Sequence, residues 1–246
     1  MATVCEKDFT LEVLPPGDLI AYWALNENSG GDGGNRIDDV QGIELVPGGA
    51  GISWSSGGKI LRAVFFPVGG GTGIAIASNE SLLAYIDSGI TFFGWVRVAL
   101  ALAGTFIINL GYSFKNAAVF VATLDFWYEA DTDTFSAILT GPSNTIQADF
   151  VQNIEDSTYH FFVAWYDPAD RKLHLQIDNG VVTDSPTALN APLGDFNNSQ
   201  FSIEGDGDSD SRIDEMGIFN AVLSATRRAN LYNSGNGVTW PAVGSI

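Results

Sequence analysis

Three aspartates at alternate positions, with a fourth four residues on, are the residues of this chain best placed by spacing to do chemistry. In EGDGDSDSRIDE (204–215), Asp206, Asp208 and Asp210 alternate with glycine and serine, and Asp214 follows. Calcium takes six to eight oxygens, and a D-x-D-x-D turn can wrap several carboxylates around one ion. An EF-hand loop counted from Asp206 would have glycine sixth and glutamate twelfth, but Ser211 and Gly217 stand there. The segment therefore reads as a calcium-binding hairpin tip of another kind, or as a solvated acidic turn before the last strand.

A second acidic group, Glu129, Asp131 and Asp133, could supply the paired carboxylates of a glycosidase if two of them stood about 5–5.5 Å or about 6.5–9.5 Å apart. The run EADTDT also reads as a turn between a strand ending at Tyr128 and one beginning at Phe135, which would take the side chains off a common face. Aromatic rings beside polar groups suit sugar binding, because a ring packs on the apolar face of a pyranose while neighbours bond its hydroxyls. Trp54, Trp127, Tyr128 and Trp240 fall near expected loops and are the candidates for glycan contact. The only histidines, His160 and His174, fall on one hairpin, with His174 on its outward side. There is no Cys/His metal set and no G-x-S-x-G nucleophile turn. Glycine clusters such as GGGTG (69–73) lack the Gly-Lys-Ser/Thr of a phosphate loop and read as turns. No catalytic residue is assigned, and the expectation is that the chain is not an enzyme.

Strands must position these groups. In DLIAYWALNE (18–27), Leu19, Ala21, Trp23 and Leu25 alternate with Ile20, Tyr22, Ala24 and Asn26. GITFFGWVRV (89–98) is apolar on both faces, with Phe93 and Trp95 on one and Phe92, Val96 and Val98 on the other, as in a strand buried on both sides. DSTYHFFVAWYDPADRKLHLQIDNGVV (156–182) is a hairpin around Pro168, with Leu173, Leu175 and Ile177 inward and a tight turn at Asp178-Asn179-Gly180. Near the end, Ser224 caps a short helix on which Leu223, Arg227 and Leu231 share a side. Residues 1–17 read as an arm: Phe9, Leu11 and Val13 alternate with polar or outward positions, and Pro15-Pro16-Gly17 ends the strand. Such an arm can add an edge strand to a neighbour.

The composition sets limits. A chain of 246 residues is long enough for one large sandwich, and 46% apolar residues exclude a disordered one. A formal charge of −18 argues against nucleic acid, whose phosphates need a basic face. No apolar run reaches the roughly 18 residues of a membrane span, so membrane insertion is not expected. One cysteine, Cys5, permits no internal disulfide. The first residues, MATVCEKDFTLEVLPPG, lack the basic and apolar regions of a secretory signal.

Read in order, the landmarks resemble a laminin-G-like domain of the concanavalin-A-like superfamily. DLIAYWALNE matches the opening "L-x-A-Y-W-x-L-x-E" pattern, and RIDEMGIFNAVLSATRRANLY (212–232) matches the closing "I-D-E-x-x-I…L-S…L-Y". FFPVGGGTGIAIASNESLL (65–83), the 89–98 strand and the 156–182 hairpin fall between them in family order, with Tyr159 where a tryptophan is usual. The resemblance implies an all-β jelly-roll sandwich of two antiparallel sheets with one or two short helices, spanning 18–246 after the arm. It implies binding more often than catalysis, and a calcium ion at one rim, where the family's aspartate corresponds to Asp38 or Asp39. In the same family the closing Asp214-Glu215 pair often anchors local structure without metal. Related glucanases carry E-x-D-x-x-E on one strand, and here the last glutamate is missing.

The reading that combines these points is a non-enzymatic structural and binding protein displayed on a virus particle, a bacteriophage in the first instance. It would serve as a capsid decoration, fibre or tail component at the virion surface, with the arm docked on other virion proteins or on copies of itself. Adhesion to cell-surface glycans would be its binding role. The alternatives are a secreted extracellular bacterial carbohydrate-binding or adhesion module and, below it, a glycoside hydrolase or lyase.

Overall fold

Alternation of apolar and polar residues along sixteen strands gives two sheets that bury one face each against the other. The computed structural model describes residues 18–26, 35–47, 52–67, 73–79, 89–101, 106–116, 119–193, 198–205, 209–239 and 242–245. The arm expected at 1–17, with Phe9, Leu11 and Val13, lies outside them, as do Asp206, Asp208 and Trp240.

Sheet I has eight strands. Across it run β14 (Val182–Asp184), β13 (Lys172–Ile177), β12 (Tyr159–Asp167), β7 (Ile90–Ala101), β16 (Ser209–Phe219), β5 (Ala63–Phe66) and β4 (Ser53–Ser55). The eighth, β1 (Leu19–Trp23), pairs with Met216–Phe219 of β16, beyond the stretch that β5 occupies. Sheet II runs β11 (Thr145–Val151), β10 (Thr134–Thr140), β9 (Val119–Glu129), β8 (Phe106–Asn116), β15 (Asn198–Gly205), β6 (Gly73–Asn79), β3 (Glu44–Pro47) and β2 (Arg36–Ile37). Every pairing is antiparallel. The fold is an all-β sandwich of two antiparallel sheets.

The core between the sheets is aromatic and well interleaved. Phe126 of sheet II stacks on Phe162 of sheet I with centroids 4.3 Å apart, and Trp23 stacks on Phe201 at 5.3 Å. Burial of such rings supplies much of the driving force for folding. One sequence expectation changes at β1. A register shift between Leu19 and Ala21 is a β-bulge, so Leu19 packs on the outer side of sheet I while Ala21 and Trp23 enter the core. An extra residue in one strand reverses the alternation at that point.

Sheet I is buried on its outer face as well. Phe93, Trp95, Phe161, Val163 and Trp165 form a second cluster with Leu223, Leu231 and Val243. The cover is a helix, α1 (Ala225–Tyr232), and the segment that follows it. The Ser224 hydroxyl accepts the Arg227 amide at its start, and Asn233 closes it with φ +47° and its amide on the Ala229 carbonyl. Arg228 ties the helix to β13 and β12, donating to Gln176 at 2.9 Å and lying 4.1 Å over the Trp165 ring. The double burial expected of 89–98 is thus present. His174 does face outward from β13, yet it is only 8% exposed, because Trp165 stacks on it at 5.0 Å. At the end of β13, Asp178 and Asn179 have φ +49° and +55°, and the Gly180 amide bonds the Ile177 carbonyl, as a two-residue primed turn requires. Among the described residues, no helix is long and apolar enough to cross a membrane.

Candidate functional site

Alternation in β9, β10 and β11 decides which side chains meet on the outer face of sheet II. Leu124, Phe126 and Tyr128 point into the core, so Asp125, Trp127 and Glu129 point out. The same rule turns Ser136 outward from β10 and Gln147 and Asp149 outward from β11. Register then places Ser136 directly between Trp127 and Asp149. Ser136 Oγ donates to Asp149 Oδ1 at 2.7 Å, and Gln147 Nε2 donates to the same oxygen at 2.7 Å. The half-buried indole of Trp127 therefore stands beside a preformed polar ladder.

Two residues from Trp127 along β9, the face closes over a glycine. Gly111 of β8 lies in register between Asp125 of β9 and Ser202 of β15. A Cβ at position 111 would stand 3.2 Å from Ser202 Oγ and 3.3 Å from Asp125 Oδ1, so any side chain there would crowd both. Burial raises the pKa of the Asp125 carboxyl; a hydrogen bond from Thr123 opposes that, and the negative charge of Glu204 adds to it. The arrangement can stack a planar or ring-shaped ligand on Trp127 and bond its polar edge from the ladder on β10 and β11 and from Asp125 of β9 itself.

Of the three aromatic candidates among the described residues, one lies on this face. Trp127 is there. Tyr128, its neighbour in sequence, is fully buried and corrects the expectation of a glycan platform, because adjacent residues on a strand point to opposite sides. Its hydroxyl donates to Asp133 Oδ1 at 3.3 Å and accepts the Ile154 amide at 3.4 Å. Trp54 lies on β4, at the edge of sheet I, with the Arg62 guanidinium 4.2 Å over its ring. Glu129, Asp131 and Asp133 do not line one strand. Residues Ala130–Thr132 form a 3-10 turn and Asp133 is left-handed at φ +51°, as the turn reading requires.

The calcium set is also redistributed. Asp210 and Asp214 both lie in β16, paired opposite Leu100 and Trp95. At about 3.3 Å per residue they stand about 13 Å apart and cannot share one ion. Asp214 is fully buried, and its two oxygens accept the amides of Ile60 at 2.9 Å and Glu215 at 3.0 Å. It anchors the chain before β5 to β16, which is the metal-free role that the closing motif implied. Asp39 is exposed in the β2–β3 turn, where its amide bonds the Tyr22 carbonyl at 2.8 Å. The carboxylate organising that turn is Asp38, which accepts the amides of Tyr22, Val40 and Gln41. Burial raises its pKa, against the pull of those amides.

Sequence reasoning missed Asp125, Ser136, Gln147, Asp149 and Gly111. The signal was available for the first: Thr123, Asp125, Trp127 and Glu129 alternate with Leu124, Phe126 and Tyr128. What sequence could not supply is which strands lie side by side.

No family model and no curated protein matches the chain. Solved structures do match in fold. A Trypanosoma rangeli sialidase, solved with a difluoro-KDN compound, aligns at 17% identity with a TM-score of 0.60, over 89% of this chain and 33% of its own. The binding domain of Paraclostridial Mosquitocidal Protein 1 aligns at 13% identity and TM-score 0.63, over 89% and 52%. The binding domain of Botulinum neurotoxin DC, in complex with SialylT, aligns at 10% identity and TM-score 0.62, over 88% and 51%. The chain thus spans from 33% to 52% of the length of these proteins, and it shares with them a β-sandwich fold.

Proposed function

We propose that this chain is a non-enzymatic carbohydrate-binding protein that holds its ligand on the outer face of sheet II. The observation that carries the reading is Trp127: a half-buried indole on the outer face of sheet II, beside the Ser136–Asp149–Gln147 ladder and two residues along its strand from Asp125. A sugar ring would stack on the indole. Its hydroxyls would donate to Asp149 and Asp125 and accept from Gln147. Support comes also from two fold neighbours, one solved with a KDN compound and one with SialylT.

The charge of the face narrows the ligand. Asp125, Glu129, Asp149 and Glu204 share it, in a chain of net charge −18. Such a surface repels anions, so the ligand class is a neutral glycan. An array carrying neutral and sialylated oligosaccharides tests this with the full chain. Selective retention on neutral sugars is expected. Preference for sialylated sugars, or no retention at all, would contradict it.

The setting we propose is the surface of a virus particle, with residues 1–17 as the docking arm. Its support is the alternation of Phe9, Leu11 and Val13, which suits strand addition to a partner. Deleting residues 1–17 should release the protein from particles and leave its thermal transition in place. Particle association that survives the deletion would refute the arm's role.

A further inference from the structure

The β12–β13 hairpin brings together a set of groups that the glycan face does not use. One oxygen each of Asp167 and Asp170 and one ring nitrogen of His174 lie within 4.8 Å of one another. His174 is 8% exposed. Its Nδ1 lies 2.7 Å from Asp184 Oδ1. A carboxylate only accepts, so Nδ1 carries a hydrogen toward Asp184 and Nε2 is the ring atom left for a ligand. That Nε2 is buried and has no hydrogen-bond partner. It is aimed at Asp170 Oδ2, 3.4 Å away. A cation held among these three atoms would give Nε2 a partner and take up the charge of both carboxylates.

We propose that Asp167, Asp170 and His174 bind a divalent transition-metal ion of the zinc class, with Asp184 orienting the imidazole from behind. Zinc holds nitrogen and oxygen ligands at about 2.0–2.2 Å, which sets tetrahedral ligands about 3.3 Å apart. The 3.4 Å between Nε2 and Oδ2 suits that separation better than it suits a direct hydrogen bond. Imidazole with carboxylates selects zinc-like ions, whereas calcium takes oxygen ligands alone. The local fold holds the ligands in place. Asp167 Oδ1 accepts the Ala169 amide at 2.8 Å and Asp170 Oδ1 accepts the Lys172 amide at 2.9 Å, leaving the second oxygen of each for the ion. The Trp165 ring walls the imidazole on one side. Asp170 is exposed and gives solvent entry, and the fourth position is open to water or an external donor.

The chain contains its own control. His160, the other histidine, has the same D-x-x-x-H spacing from Asp156, but both its ring nitrogens are partnered. Nδ1 lies 2.6 Å from Asp178, and Nε2 lies 3.1 Å from Thr158 and 3.2 Å from Asp156. The test is to titrate Zn²⁺ into the EDTA-stripped full chain and follow the side-chain nitrogen resonances of both histidines. The expected result is a one-equivalent change at His174 Nε2 with His160 unmoved. Asp170→Asn keeps the turn and should weaken that response at least tenfold, while Asp184→Asn should weaken it about 10–100-fold. Ca²⁺ should leave His174 unchanged. No response at His174, equal responses at both rings, or full affinity in Asp170→Asn would each overturn the site.

Discussion

The outer face of sheet I carries Phe93, Trp95, Phe161, Val163 and Trp165 and lies beneath α1 and Val243, whereas the outer face of sheet II carries Asp125, Trp127, Ser136, Gln147 and Asp149. Among the described residues no helix lies over that second face. The sequence difference is plain: β7 and β12 are apolar on both sides, while β9 to β11 alternate. An apolar outer face must be covered to be stable, and Leu223, α1 and Val243 supply that cover. A polar outer face needs none and stays available to ligands. An aromatic ring therefore means different things on the two faces. Trp95 and Trp165 are structural, and Trp127 is the ring on which the proposed binding rests.

The sharpest way to break the comparison is to truncate a ring on the covered face. Phe161 is 1% exposed and packs against Trp95 at 5.2 Å. Phe161→Ala should cost about 3–5 kcal/mol, read from the shift in urea midpoint at constant slope. A loss under about 1 kcal/mol would mean that α1 does not cover this face in solution.

Glu215 gives the next effect, and it depends on pH. It sits in the bulge of β16 between Asp214 and Gly217, with φ +51°, fully buried. Burial pushes its carboxyl up to about 8 from an ordinary 4.5, with a Thr239 hydrogen bond opposing. The folded chain keeps this group neutral up to about pH 8, while the unfolded chain loses the proton from about pH 4.5. Stability from this group is therefore full below pH 4.5, falls as pH rises and levels off above about pH 8. The span is on the order of 4 kcal/mol. Glu215→Gln should flatten that slope and leave the variant more stable than the parent at pH 8. An unchanged slope would place Glu215 in contact with water.

Much of the covered face was legible in sequence, and the open one much less so. Period-two alternation located Phe93 and Trp95 opposite Phe92, Val96 and Val98, and Ser224 announced its helix by its position before a Leu–Arg–Leu stripe. These are local patterns. Reading Trp127 and Tyr128 together as a platform neglected the same alternation, which separates them. Asp214 was misread because a D-x-D run resembles a turn, whereas pairing with β7 draws Asp210–Asp214 out as strand. The approach of Asp125 and Ser202 over Gly111 arises only when strands far apart in sequence become neighbours. The buried state of His174 likewise depends on Trp165 of the neighbouring strand.

The smallest effect on stability is expected where the largest effect on binding is. Trp127→Ala should cost about 1 kcal/mol or less in folding, since its ring is half-buried on an uncovered face. The measurement that bears most directly on the account is calorimetric titration of the full chain and of Trp127→Ala with the neutral oligosaccharide best retained on the array. The account predicts at least a tenfold loss of affinity in the variant, with a thermal transition within about 3 °C of the parent. Equal affinity in the two proteins would contradict it and move the binding surface away from sheet II.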